Sequence, residues 1–476
     1  MTLKNFLKGV FPALIFVILF VSWAEAGGAV KSTARGRVSV DATIYNNNFA
    51  LIRDIRWVKI PRGTGRLVFS NVPARLIPES IRVNLLGASG GFKILEQSFN
   101  YDLITPERLL DKYVGKTIKI EVRNDFNDRR RVVDALLVSN VNGPVYKIGG
   151  RIYLDYPGIR ILPAIPGGLV TRPTVDWLYK NTKEGLYKLE VNYLTENIGW
   201  KADYVLVLNK QDDAGELSGW VTLDNRSGTS FHNARLKLAA GELHRRGARP
   251  GPGLYMEKAA LSSDGAGFTE KPLFEYYVYD LKRRTTIKDR EKKQISFIKG
   301  KAVRVKKEFL VRGMTRYFTS PYSRVSPREP VNVYIKFKNP GSAKGSAPLP
   351  AGTLRLYKEE ADGALAFLGE DGLVHTPPDE EIRLKAGAAL QVTAERVQTE
   401  FRRVSSVVYE TDWEITLRNH KKEDITVGIV EPLSGSWEIT TSSHPYKKTD
   451  AFTIRFDVAV PKGGEVTVSY RVRVEL

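Results

Sequence analysis

The 476-residue chain contains no cysteine. That single absence removes disulfides, thiol nucleophiles and thiolate metal ligands together. It leaves the redox compartment open, because a cysteine-free chain folds in oxidising and reducing surroundings alike. Histidine is scarce: His232, His244, His375, His420 and His444. None stands in H-E-x-x-H or in another close pair at ligand spacing, so no metal or other cofactor is expected. Beyond residue 26 no apolar run approaches the roughly 20 residues that span a bilayer as a helix. Acidic residues are also short, with 53 Asp and Glu against 73 Lys and Arg, giving a formal net charge of +20.

What is present begins with an address. Lys4 and Lys8 precede an apolar run, Val10 to Val21, and Ala24-Glu25-Ala26 follows it as an A-x-A cleavage signal. The expectation is a secretory signal peptide over 1–26, with an uncleaved anchor as the alternative. The mature chain is then exported, to the periplasm or the extracellular space. A basic protein there meets lipopolysaccharide, acidic glycans and extracellular nucleic acid by long-range attraction. A positive surface can equally serve solubility alone.

The rest of the chain reads as strands. Alternation at Val38, Val40 and Ile44, then over Ile52 to Ile60 and Arg66 to Phe69, predicts an N-terminal β domain over 34–112. Gly87-Ala88-Ser89-Gly90-Gly91 matches the G-x-S-x-G nucleophile elbow in letters. A strand-like run from Phe92 follows where the elbow needs a helix, so a glycine-rich hairpin is expected. Thr105 to Gly115 reads as a short helix, with Thr105 as N-cap, Pro106 at the first position and Gly115 as the stop. Short strands with glycine turns over 113–155 predict a small SH3-like or OB-like barrel, a candidate insertion into the N-terminal domain. Arg129-Arg130-Arg131 sits near one of its turns and reads as a solvated loop rather than an anion site. A central β-sandwich is expected over 174–245 and a flexible linker over 246–272. A further sandwich follows over 273–400, and a C-terminal sandwich unit over 401–476.

Three repeats support this. Trp220 to Asn225 precedes Ala234 to Leu238. Val331 to Asn339 precedes Thr353 to Tyr357. Trp413 to Asn419 precedes Ile425 to Ile429. In each, an alternating strand ends on Asn, which suits a turn conformation. Phe452 to Val460 and Val466 to Val474, joined by Pro461 to Gly464, read as a hairpin. The fold class is therefore all-β and multi-domain, with immunoglobulin-like sandwiches that lack the Cys-Trp-Cys hallmark.

Several segments resemble a known family: Tyr45 to Arg56, Glu96 to Lys116, Tyr193 to Asn209, Gly219 to Glu242, Leu273 to Phe297, Pro348 to Lys358 and Leu368 to Gly387. Together they resemble the bacterial family called domain of unknown function 4139 across nearly the whole mature chain. The C-terminal part is more distantly similar to mucoidy-inhibitor-like proteins. Those carry an N-terminal coiled coil, and sustained heptads are absent here, so that label does not carry over. The resemblance implies an exported β-rich protein and supplies no catalytic residues.

Chemistry-bearing patterns are few. Carboxylates cluster at Glu359-Glu360, Glu370-Asp371 and Asp379-Glu380-Glu381. Neighbours on a strand point to opposite faces, so these read as charged turns rather than an acid/base pair. Asp224 to Gly228 has calcium-loop composition without the spacing. Trp200, Trp220, Trp413 and Trp437 sit in strand contexts and are expected in cores rather than on a sugar platform. The strongest signal is Leu281 to Lys307. It holds Lys282, Arg283, Arg284, Lys288, Arg290, Lys292, Lys293, Lys299, Lys301, Arg304, Lys306 and Lys307 against only Asp289 and Glu291. Such a stripe is a candidate polyanion-binding site, with Phe274, Tyr276, Tyr277 and Tyr279 upstream able to stack. The plainer reading is a solvated basic face over core aromatics. The expected role is non-enzymatic: an envelope or extracellular binding or scaffold module whose partner is an envelope protein or an anionic polymer. An envelope hydrolase, its site assembled only by the tertiary fold, is the alternative.

Overall fold

A computed structural model describes residues 29–87, 90–100, 103–123, 130–167, 169–241, 264–265, 268–273, 276–322, 326–340 and 348–476. The signal-peptide segment 1–26, residues 246–263 of the linker, Ala88-Ser89, Arg129, His244 and Phe274 lie outside the described residues.

Period-two alternation becomes strand almost throughout. In chain order the first strands are β1 (Val30–Ser32), β2 (Arg37–Tyr45), β3 (Phe49–Ile60), β4 (Gly63–Ser70), β5 (Arg82–Leu86), β6 (Phe92–Asn100), β7 (Thr117–Arg123) and β8 (Arg130–Ser139). There follow β9 (Val145–Ile148), β10 (Arg151–Leu154), β11 (Ile159–Ile161), β12 (Thr174–Asn181), β13 (Gly185–Glu196), β14 (Ile198–Leu208), β15 (Ala214–Asn225) and β16 (Phe231–Ala240). Then come β17 (Asp264–Gly265), β18 (Phe268–Leu273), β19 (Tyr276–Leu281), β20 (Thr285–Ile287), β21 (Glu291–Arg312), β22 (Ser326–Lys338), β23 (Gly352–Glu359) and β24 (Leu365–Leu373). The last are β25 (Glu381–Arg403), β26 (Val408–Asn419), β27 (Ile425–Pro432), β28 (Ser436–Ser442), β29 (Tyr446–Asp450), β30 (Thr453–Val460) and β31 (Glu465–Glu475).

The chain divides into two units. One comprises the residues up to Gly36 with Trp57–Ser70 and Leu85–Lys188; the other comprises Arg37–Arg56, Asn71–Asn84 and Leu189–Leu476. The first unit holds a sheet ordered β1-β4-β12-β6 and a sheet ordered β10-β9-β8-β7-β11. The chain leaves the former after β6 and returns beside it as antiparallel β12, so β7 to β11 lie between two paired strands. The five-stranded sheet curls over Tyr113, Ile118, Ile120, Ala135, Leu137 and Tyr146. Its end strands β10 and β11 do not pair, so it stays open rather than closing as a barrel. The single α-helix among the described residues, α1 (Pro106–Tyr113), starts where the sequence indicates. Thr105 Oγ1 accepts the Arg108 N–H at 3.2 Å, and Gly115 ends the segment with φ of 81°.

The second unit is organised by β21, whose 22 residues pair with β15 over Glu291 to Arg304 and with β22 over Val305 to Leu310. It thereby joins the run β24-β23-β14-β15 to the run β22-β25-β26-β31-β28. The C-terminal core packs Trp413, Ile415 and Leu417 of β26 and Val468, Tyr470 and Val472 of β31 against Val427, Ile429, Ile454, Phe456 and Val458 of β27 and β30.

Two expected hairpins are not hairpins. β30 pairs with β27 and β29, while β31 pairs with β26 and β28. Pro461 to Gly464 therefore swings the chain across the core from one layer to the other. Alternation correctly marked both inward faces, but it carries no information on which strand is the partner. Likewise β5 lies beside β13 and β6 beside β12, so the glycine segment between them passes from one sheet to another.

The three Asn-ended repeats follow the same rule. The strands flanking Asn225, Asn339 and Asn419 each pair elsewhere and never with one another. None of the three Asn has positive φ, contrary to the turn role expected from the sequence. Each is instead buried and used through its side-chain amide. Asn225 Nδ2 donates to the carbonyls of Ile287 (3.5 Å) and Lys288 (3.0 Å). Asn339 Nδ2 donates to Thr376 (3.1 Å) and Pro377 (3.0 Å). Asn419 Nδ2 donates to Val460 (3.1 Å) and Pro461 (3.1 Å). A fourth, Asn181, does the same to Ile60 (3.3 Å) and Pro61 (3.0 Å). In each case two consecutive carbonyls are satisfied where the chain passes a second time between strands that do not pair with each other. Proline occupies the second position in three of the four, and its missing N–H stops the ladder there.

Replacing Asn419 tests this corner. Asn419→Ala strands buried carbonyls and is expected to cost about 1–3 kcal/mol. Asn419→Asp, which offers no donor at neutral pH, is expected to cost at least as much. Urea midpoints, with His420→Ala as an exposed neighbouring control, check both.

Candidate polyanion-binding strand

The twelve cations of Leu281 to Lys307 fall into three groups. Lys282, Arg283 and Arg284 form the turn between β19 and β20, and Lys288 and Arg290 the turn into β21. The remaining seven lie on β21 itself. At about 3.3 Å per residue, Lys292 to Lys307 spans a contour of about 50 Å. The charges thus form a long line rather than a compact patch.

Some of them are already engaged. Arg284 Nη1 donates to the Asn233 carbonyl at 3.0 Å, and Lys293 Nζ to that of Thr286 at 2.7 Å. Lys292 lies 3.9 Å from Asp224, and Arg290 3.9 Å from Asp289. Lys307 and Lys358 bracket Asp212 at 2.6 and 2.5 Å. Burial lowers the pKa of Lys301. Lys282 is exposed. Arg283, Lys288, Lys299, Arg304 and Lys306 are exposed, and none has a carboxylate partner among the described residues.

Of the upstream aromatics, Tyr279 belongs to the core. Its ring stands 6.3 Å from Trp200 and 5.1 Å from Phe297, and its hydroxyl donates to the Pro348 carbonyl at 3.0 Å. Tyr277 is half-buried. The Tyr276 side chain lies outside the described residues.

The fold adds cations that sequence proximity could not reveal. Lys306, Lys336 and Arg383 stand in register across β21, β22 and β25. Glu308, two residues from Lys306, gathers Arg455 at 2.8 Å, Arg383 at 3.1 Å and Lys336 at 3.5 Å. Burial alone would raise the Glu308 pKa, but Arg455, Arg383 and Lys336 outweigh it and hold the carboxyl below its usual range. Asp212 behaves alike: burial opposes ionisation, while hydrogen bonds from Lys307 and Lys358 more than reverse it.

The tryptophans divide. Trp200 and Trp413 are buried, as expected. Trp437 is half-buried, with Nε1 bonded to the Ala451 carbonyl at 2.8 Å. Trp220 departs from the expectation, with 43% of its surface exposed. Leu217, Val221 and Leu223 take the buried side of β15, and Trp220 shares the outward side with Thr222.

Other patterns resolve into structural roles. Glu370 pairs with Arg355 at 3.2 Å, Glu381 with Lys336 at 3.2 Å and Glu359 with Lys210 at 3.7 Å. Arg130 pairs with Glu121 at 3.2 Å. Among the described residues no group of three His, Asp or Glu is arranged to hold a metal ion. His375 Nδ1 accepts the Ala351 N–H at 3.2 Å, and burial lowers its pKa.

Two ionic clusters are centred on fully buried groups. Asp54 is clamped by Arg56 (2.8 Å) and Arg37 (2.7 Å). Burial would raise its pKa, but Arg56 and Arg37 lower it. Arg396 joins Glu431 at 2.5 Å and Glu329 at 3.0 Å beneath the rings of Tyr317 and Trp413. Here burial prevails, and the Glu431 pKa is raised. With Arg396 and Glu431 both at 0% exposure, this pair anchors the core rather than meeting a ligand.

The Glu308 cluster predicts a pH dependence. A carboxyl with a depressed folded-state pKa stabilises the protein above its unfolded value of about 4.3, and this is lost as pH falls through the folded value. Glu308→Gln should therefore destabilise near neutrality. The gap from the unmodified chain should narrow as pH drops from about 6 to about 3. Urea titrations across that range check it, and a constant gap would contradict the assignment.

A search of curated proteins found no match to the chain. The pattern of the family described as Domain of unknown function (DUF4139) matches residues 189–476, beginning where the second unit resumes at Leu189. This stretch covers more than half of the sequence and includes β14 to β31, the line of cations and Trp220. The chain belongs to the DUF4139 family.

Proposed function

We propose that the chain is an exported, non-enzymatic binding or scaffold module of the cell envelope or extracellular space, and that it engages an anionic polymer along β20 and β21. One observation carries this reading: Arg283, Lys288, Lys299, Arg304 and Lys306 are exposed without carboxylate partners while spread along one strand and its approach. A line of unneutralised cations suits an extended polyanion better than a compact ligand. The net charge of +20 adds long-range attraction. The Lys4/Lys8, Val10 to Val21 and Ala24-Glu25-Ala26 pattern supports the exported address.

Binding to immobilised heparin, measured against salt, tests the proposal. Affinity should fall steeply as salt rises. The triple variant Arg283→Glu, Lys299→Glu, Lys306→Glu should weaken binding and flatten the salt slope by about one for each contact removed. Capture of a protein from the envelope that survives high salt and the triple variant would instead favour a scaffold acting through other sheet surfaces.

A further inference from the structure

Six of the seven tryptophans lie among the described residues, and five have a partner. The indole N–H of Trp177 donates to Gln97 Oε1 (2.8 Å), that of Trp200 to the Ala239 carbonyl (3.2 Å) and that of Trp413 to Thr411 Oγ1 (3.1 Å). Trp437 bonds Ala451, and Lys188 sits over the Trp57 ring at 5.0 Å. Trp220 alone has neither an N–H acceptor nor a ring or cation contact among the described residues, although 43% of it is exposed. The indole of Trp220 therefore offers ring surface and an N–H donor that a ligand can take up.

Its surroundings are polar and ordered. Trp220 stands in register between Asp203 of β14 and Ser296 of β21. Asp203 is buried and accepts Thr222 Oγ1 at 2.7 Å, and Gln294 Nε2 donates to Thr222 at 3.3 Å. Lys201 and Arg355 approach Asp203 at 3.4 and 3.5 Å. The neighbours of this ring on its face are thus hydroxyl, amide, carboxylate and cationic groups, with Val205 diagonal to it. Ser296 also lies within the line of cations. Lys292 shares its face by alternation. Beyond the register shift near Ile298, so do Arg304 and Lys306, because Glu216 pairs with Ala302.

We infer that the anionic polymer is an acidic glycan and that one of its pyranose rings stacks on Trp220. A pyranose has an apolar C–H face for the indole and a rim of hydroxyls for Thr222, Gln294 and the indole N–H. Uronate carboxyls further along the polymer would meet Arg304 and Lys306, which share this face without carboxylate partners among the described residues. Bases of a nucleic acid would also stack on the indole, but the hydroxyl and amide of Thr222 and Gln294 beside Trp220 suit the hydroxyl rim of a pyranose. The inference rests on the anionic-polymer reading and names the polymer's class.

Calorimetry on the full chain with tetragalacturonate, cellotetraose, polyphosphate and single-stranded oligo-dT tests it. Trp220→Ala should weaken tetragalacturonate by about tenfold, with Trp220→Phe retaining most of the affinity and Trp57→Ala unchanged. Polyphosphate, which has no ring, should bind Trp220→Ala as it binds the unmodified chain. An unchanged melting temperature confirms that the exposed substitution leaves the fold intact. If polyphosphate binds but tetragalacturonate ignores Trp220→Ala, the stacking inference fails and the polymer reading stands. If neither polyanion binds, both fall. Equal affinity for cellotetraose, or a Trp220-dependent preference for oligo-dT, overturns the acidic-glycan assignment.

Discussion

The fold depends on a side-chain amide donating to two consecutive backbone carbonyls. Asn181, Asn225, Asn339 and Asn419 each sit where the chain leaves one set of paired strands for another, and each holds a second such crossing by its carbonyls. A sandwich built this way has a problem that hairpins avoid. At a sheet-to-sheet crossing the backbone loses its ladder partners while still inside the protein, and buried carbonyls without donors are expensive. Asparagine supplies two N–H groups on a short, stiff stem, so one residue serves two crossings at once. Aspartate has no donor, and glutamine has another rotatable bond to fix.

These corners set the frame in which β21 lies. Its first half belongs with β15 and its second with β22, so one strand carries side chains past two sets of neighbours. That is why a stretch that is merely basic in sequence becomes a line of charge in space. It is also why the line is uneven. Lys307 and Lys292 meet Asp212 and Asp224 from the loop and strand beside them, whereas Arg304 and Lys306 do not.

Much of this was legible in the residues. Period-two patterning located the strands, Thr105-Pro106 located the helix start, and the three Asn-ended repeats identified a recurring unit. Partnering was not legible, because alternation fixes a face and not a neighbour; the apparent hairpin around Pro461 to Gly464 is a crossing for that reason. The Asn role was half visible: its recurrence stood out, but its acceptors lie 37 to 121 positions away in sequence. The exposure of Trp220 was readable from parity alone, since it shares its side of β15 with Thr222 and opposes Val221 and Leu223. Treating every strand tryptophan as core hid it. Lys336 and Arg383 reach the cation line only through register across strands, which no local pattern encodes.

The crossings have a kinetic side. A hairpin such as β14-β15 can form as soon as its two strands exist, but β15 and β16, β22 and β23, and β26 and β27 each find their partners elsewhere. β14 must wait for β23, with Asp203 meeting Arg355 across 152 positions. Ordering so much chain before distant contacts reward it makes folding slow. The C-terminal strands are therefore a completion step for the centre of the molecule, and a chain lacking them would retain open sheet edges on β14 and β21.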